Sequence, residues 1–211
     1  MPEAYYPGGP RWGTVSEDQS RLRSFVAVNV TAEIRAAIVT LLDKLEEAGG
    51  DVRWVRPEAM HATLKFFGWV EAALLQRVHA TLQTALERRP ALSVHVRGLG
   101  GFPSFRRPRV VWVGLHGSGL VELAACIDAA LQPLGFAPER RAFTPHITLG
   151  RVRSWRGWSR VEDAVAAHRD DEFGNAPVDA VTVYRSTLRP DAAMYTPLWT
   201  IQLAGNKGAI A

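Results

Sequence analysis

An α+β fold, with helices and strands interspersed rather than arranged as a doubly wound parallel sheet, is predicted by three observations. Strand-type and helix-type periodicities follow one another in an order that mixes hairpins with crossovers. A strand pattern carrying His-x-Thr occurs twice, at His61-Ala62-Thr63-Leu64 and at His146-Ile147-Thr148-Leu149. No Gly-rich phosphate loop of the dinucleotide or Walker type is present. At 211 residues and 47% hydrophobic, the chain can bury a full core as one compact domain or two small lobes.

Residues 1–20 are rich in Pro, Gly and polar residues without periodicity and are expected to form a flexible leader. Leu22 to Val30 reads as the first strand, almost continuously apolar through Phe25-Val26-Ala27-Val28, as suits a strand covered on both faces. Thr31 can cap a helix whose stripe is Ile34, Ile38, Leu41, Leu45 and Ala48, and Gly49-Gly50 ends it. Val52 to Val55 is a short strand, and Arg56-Pro57-Glu58 turns the chain into the first His-x-Thr strand. A helix from Glu71 to Arg88 follows. It contains a decoy, His79-Ala80-Thr81-Leu82, but residues two apart on a helix are turned by about 200° and cannot act together.

Leu92 to Arg97 alternates, with Ser93, His95 and Arg97 on a face expected to be solvated. The loop Gly100 to Pro108 mixes Phe102 and Phe105 with Arg106 and Arg107, which suits either an ordinary turn or stacking on a base with a grip on phosphate. A strand from Arg109 to His116 comes next, and Ser118 can cap a helix buried through Leu120, Leu123, Ala124, Ile127 and Leu131. After the second His-x-Thr strand, Ser159 and Glu162 have capping-box spacing for a helix ending near His168. Strands around Val178 to Ser186 and Met194 to Leu203 close a domain spanning 21–204, and residues 205–211 are expected to fray.

Net charge is +4 and the isoelectric point about 9.6, with lysine only at Lys44, Lys65 and Lys207. Arginine therefore carries the positive charge, and its forked guanidinium suits phosphate oxygens. The single cysteine, Cys126, excludes an internal disulfide framework or a cysteine zinc site. No apolar run is long enough for a membrane span and the first residues lack a secretory core, so a cytoplasmic protein is expected.

On a strand, the imidazole and hydroxyl of His-x-Thr point the same way, roughly 6 to 7 Å apart. Two such strands could line opposite walls of a cleft and grip one phosphate. With both in place, the chain resembles the two-histidine phosphoesterase superfamily. Within it the chain is most similar to the RNA 2′,3′-cyclic phosphodiesterases, historically called 2′-5′ RNA ligases. The likeness runs from Arg21 to Leu203 through Phe25-Val26-Ala27-Val28, Trp54-Val55-Arg56-Pro57-Glu58, His61 to Phe66, Phe102-Pro103, Arg109 to Gly114, Pro145 to Arg151 and Val183 to Leu188. Ala62 stands where the family has a larger aliphatic residue, and Asp191-Ala192-Ala193-Met194 where it commonly has a Gly.

The resemblance implies two pseudo-symmetric lobes with a cleft between them and chemistry without metal or other cofactor. It implies opening of a 2′,3′-cyclic phosphate at an RNA end to a 2′-phosphate, with His61 as proton donor and His146 as proton acceptor. Thr63, Thr148 and Arg151 would bind phosphate, and Tyr184, Phe102 and Phe105 are candidate substrate contacts. Joining of RNA ends, opening of a small cyclic nucleotide, or nucleotide binding without chemistry remain alternatives for the same cleft. RNA ends or cyclic nucleotides are the expected partners, and a monomer the expected state.

Overall fold

The computed structural model describes residues 21–189 and 193–204. The expected leader, the tail and part of the 191–194 hairpin lie outside the described residues. Among the described residues, nine strands make two antiparallel sheets. The four-stranded sheet is ordered β3-β1-β8-β9, from β1 (Arg21–Asn29), β3 (His61–Glu71), β8 (Ala180–Leu188) and β9 (Ala193–Gln202). The five-stranded sheet is ordered β2-β6-β5-β4-β7, from β2 (Val52–Trp54), β4 (Leu92–Phe102), β5 (Val110–His116), β6 (His146–Val152) and β7 (Glu172–Val178).

The two lobes are not the two halves of the chain. The first and last strands complete the sheet that holds His61, while β2 crosses early into the sheet that holds His146. Among the helices, α1 (Ala32–Glu47) packs on β7 and on α4 (Trp158–Ala167), against the five-stranded sheet. By contrast, α2 (Ala72–Leu86) packs on β3 and β9, and α3 (Ser118–Leu131) on α2, β3 and β4. The buried side chains form one contiguous cluster, including Val26, Ile38, Leu75, Leu82, Leu120, Ile147 and Leu149. Removing such a set from water is the main stabilising term of the fold.

The expected helices form, with two changes at their entries. Thr31 caps α1, its Oγ1 accepting from the Ile34 N–H at 3.3 Å. Ser118 and Ser159 cap nothing. Gly117 (φ +136°) and Gly157 (φ +72°) take those turns instead, and each serine lies inside the first turn. Only glycine enters such conformations freely. The decoy His79 lies on α2, stacked on Trp199 at 4.8 Å.

Two elements differ more. The sequence Gly98 to Phe102 continues β4 rather than forming a loop. Gly98 (φ +73°) is the extra residue of a bulge between the Arg97–Gly114 and Leu99–Val113 pairs, after which pairing with β5 resumes to Phe102. The strand β7, which lies between the helix expected to end near His168 and the strand expected around Val178 and was not foreseen, contains Pro177 and pairs with β4 at the sheet edge. Proline is tolerated there since one side of the strand needs no ladder hydrogen bonds. No helix among the described residues is long and apolar enough to cross a membrane.

Candidate active site

The two His-x-Thr strands approach within 8 Å between Cα atoms, β3 from one sheet and β6 from the other. The two histidines are anchored alike through Nδ1. The Nδ1–H of His61 donates to the Ala59 carbonyl at 2.7 Å, and that of His146 donates to the Thr144 carbonyl at 2.7 Å. A carbonyl can only accept, so both rings carry hydrogen on Nδ1 and leave Nε2 for chemistry. At His61 the Nε2 atom lies 3.1 Å from Thr63 Oγ1, within reach of the hydroxyl proton.

A second element of symmetry lies just beyond each threonine. Across β1 and β3, Ala27 pairs with Thr63 but Val26 pairs with Lys65, so Leu64 is a bulge residue. Across β5 and β6, Trp112 pairs with Thr148 but Val111 pairs with Gly150, so Leu149 is its counterpart. One extra residue flips the alternation. Arg151, opposite Val110, therefore returns to the face of His146 and Thr148, although simple alternation would turn it away. In β3 the matching residue is Phe66, opposite Phe25 and 55% exposed, with the Arg23 guanidinium 5.7 Å above its ring. One wall thus offers a cation where the other offers an aromatic ring.

Aromatic rings hold each imidazole. Phe25 stacks on His61 at 4.8 Å, and Tyr195 meets its edge at 5.0 Å. Phe102 meets His146 edge-on at 5.0 Å, with Trp112 at 6.2 Å. The Trp112 indole lies across Gly100, where a Cβ would fall 2.2 Å from the ring, so only glycine fits beneath it. Behind β3, the buried Lys65 pairs with Asp128 of α3 and donates to the Ala137 carbonyl at 2.9 Å. Asp128 also accepts from the Glu139 N–H at 3.2 Å, which fastens the segment leading to His146.

Burial pushes His61 down to about 4, against the opposing pull of the Ala59 carbonyl, and the nearby charges of His146 and Arg151 push the same way. Burial likewise lowers His146, opposed by the Thr144 carbonyl, and Arg151 adds to the lowering. Each effect follows from disfavouring the cation in a dry, positive site. At neutral pH both rings of the free protein are neutral, with hydrogen on Nδ1 and the lone pair on Nε2. The same arrangement attracts an anion.

Of the residues expected at the site, His61, Thr63, His146, Thr148, Arg151 and Phe102 come together. Tyr184 shares the His61 face, its ring 5.3 Å from Phe25 and its hydroxyl donating to Asn29 at 2.6 Å. Phe105 does not join them: half-buried, it packs on the core under Arg169 at 5.1 Å. His95 faces β7, within 3.0 Å of Asn175 Oδ1. Among the described residues, no three His, Cys, Asp or Glu side chains are grouped to hold a metal.

A family model described as the 2′-5′ RNA ligase superfamily matches residues 29–189. The chain belongs to this superfamily. A relative from Methanothermobacter thermautotrophicus, named RNA 2′,3′-cyclic phosphodiesterase, is 32% identical over 184 residues, covering 87% of this chain and all of its own length. A protein of the same name from Archaeoglobus fulgidus is 34% identical, over 84% of this chain and 98% of its own. Among solved structures of similar fold, TT0787 of Thermus thermophilus superposes with a TM-score of 0.74 at 28% identity, covering 88% of this chain and 100% of that one. E. coli LigT complexed with 3′-AMP gives 0.71 at 29% identity, covering 87% and 98%. The superfamily resemblance and the two-lobed α+β architecture read from the sequence both hold.

Proposed function

We propose that this protein hydrolyses 2′,3′-cyclic phosphate ends of RNA to 2′-phosphates by paired histidine acid–base catalysis that needs no metal. The observation that carries the proposal is the matched geometry at the two histidines. Each is locked by a carbonyl at Nδ1, each is followed by a threonine on the same face, and the two are close enough for the charge of one to depress the other. Relatives named RNA 2′,3′-cyclic phosphodiesterase over most of the chain support the same activity.

His146 Nε2 takes a proton from water as the water oxygen bonds to phosphorus. The P–O3′ bond breaks, and His61 Nε2 protonates the departing oxygen. Charge gathering on the non-bridging oxygens is met by the Thr63 and Thr148 hydroxyls and by Arg151. Burial is the main cause of the depressed value at His61, and the charges of His146 and Arg151 add to it. A bound phosphodiester anion opposes the effect of Arg151 and raises both imidazoles, so substrate itself helps supply the acid its departure needs.

The test is turnover of a 2′,3′-cyclic nucleotide in excess EDTA with identification of the product isomer. Undiminished hydrolysis to the 2′-phosphate is expected. Loss of activity in chelator would point to a metallo-hydrolase, and a 3′-phosphate product would reverse the leaving group.

A further inference from the structure

Past Arg151 the positive wall continues out of the cleft. Arg153, Trp155 and Arg156 follow along the exit of β6, and the β4–β5 connection with Arg106, Arg107 and Arg109 runs beside it, the Val152 N–H donating to the Arg109 carbonyl at 3.0 Å. These arginines are exposed, and Trp155 is 46% exposed. The Arg107 guanidinium lies 5.4 Å over the Trp155 ring, and Trp155 meets the buried Trp158 edge-on at 6.0 Å.

This exit is a built surface, held by a single acid. The Arg153 N–H donates to the Asp51 carbonyl at 2.9 Å, and the Asp51 N–H to the Arg156 carbonyl at 3.1 Å. Ser154 Oγ donates to the Asp51 carboxylate at 2.5 Å and accepts from the Arg156 N–H at 3.4 Å. Asp51 thereby fixes the turn that presents Trp155. The mechanism proposed above uses none of these side chains.

We infer that the Arg107–Trp155 platform, with Arg153 and Arg156, binds the single-stranded RNA chain that carries the cyclic phosphate. The inference rests on the cyclic-phosphate reading and extends it from a terminal nucleotide to a polynucleotide. An aromatic face accepts any base by stacking, a guanidinium over that face adds cation–π attraction, and a line of arginines follows the backbone phosphates. The line starts at Arg151, which the proposed mechanism sets against the reacting phosphate. Trp155 lies four residues beyond Arg151, at most about 13 Å along an extended chain, so an RNA chain longer than its terminal nucleotide reaches from the reacting phosphate to the Trp155 ring.

The test compares kcat/KM on a single-stranded oligoribonucleotide of about eight residues, within the usual span of such sites, with that on a 2′,3′-cyclic mononucleotide. Both carry the same reacting group. Trp155→Ala and Arg107→Ala should each lower kcat/KM on the oligonucleotide by about tenfold and leave the mononucleotide unchanged. Arg107→Ala should also reduce the salt slope of oligonucleotide binding by about one. Unchanged oligonucleotide turnover in both variants, or equal losses on both substrates, would overturn the inference. Fluorescence anisotropy of the labelled oligonucleotide reads the platform without turnover. Should the wild type bind the oligonucleotide but hydrolyse neither substrate, the cyclic-phosphate reading fails while weaker binding by the variants still supports the platform. Equal binding by all three proteins would overturn it.

Discussion

His61→Ala and His146→Ala each lose about 10² to 10⁴ in turnover while remaining folded, the range expected for removal of a positioned acid or base. Both histidines are half-buried and lie outside the apolar cluster of the core, so circular dichroism and the thermal transition should change little beside the activity. Because the two imidazoles serve one displacement, the double variant should be nearly as active as either single one; independent contributions would multiply instead. An activated leaving group separates the roles. A phosphodiester whose departing oxygen needs no proton should restore much of the rate of His61→Ala and little of that of His146→Ala. Near-normal hydrolysis of the cyclic substrate by either variant would remove the paired role altogether.

Arg151→Met has the second largest expected effect. The Leu149 bulge returns Arg151 to the histidine face, where its charge lowers both imidazoles, and the proposed mechanism gives it the phosphate as well. Loss of a fixed donor at developing negative charge costs about 10² to 10³ in kcat. The sign of the pH effect is also set. Arg151 lowers both histidines, so its removal raises both, and the activity profile of the variant should move to higher pH. A profile unmoved in position, with turnover intact, would place Arg151 outside the reacting centre.

Much of the site was legible because β-strand alternation is a strong local signal. His61 with Thr63 and His146 with Thr148 share faces simply through period two, and helical periodicity set the decoy at His79 aside. The position of Arg151 was not legible from alternation, since a bulge at Leu149 depends on the register with β5 and leaves no mark in the six residues themselves. Phe66 was hidden by the same event at Leu64. The aromatic partners Phe25, Trp112 and Tyr195 come from three other strands and read in sequence as ordinary strand residues. For Trp112 there was a faint signal in Gly100, which was available to be read as clearance for a large ring and instead suggested a loop.

The fold shows the same division between local and long-range information. Helices α1 to α3 follow from their apolar stripes and α4 from the spacing of Ser159 and Glu162, although Ser159 is not its cap, whereas the glycines after Arg97 concealed strand residues because glycine marks a turn and a bulge alike. Assignment of strands to sheets was the least legible feature. Nothing local to Val52–Trp54 says that it pairs with β6 rather than with the strand that follows it, nor that β8 and β9 return to the first lobe. Those pairings are set by which apolar faces can be buried together, a property of the whole core.

A crystal structure with a nucleoside 2′-phosphate bound tests the central claim most directly. The account predicts that Nε2 of His61 and Nε2 of His146 both lie within about 2.6 to 3.2 Å of oxygens on the same phosphorus, with Arg151 alongside. A phosphate held by one histidine alone, with the other ring turned away, would contradict it.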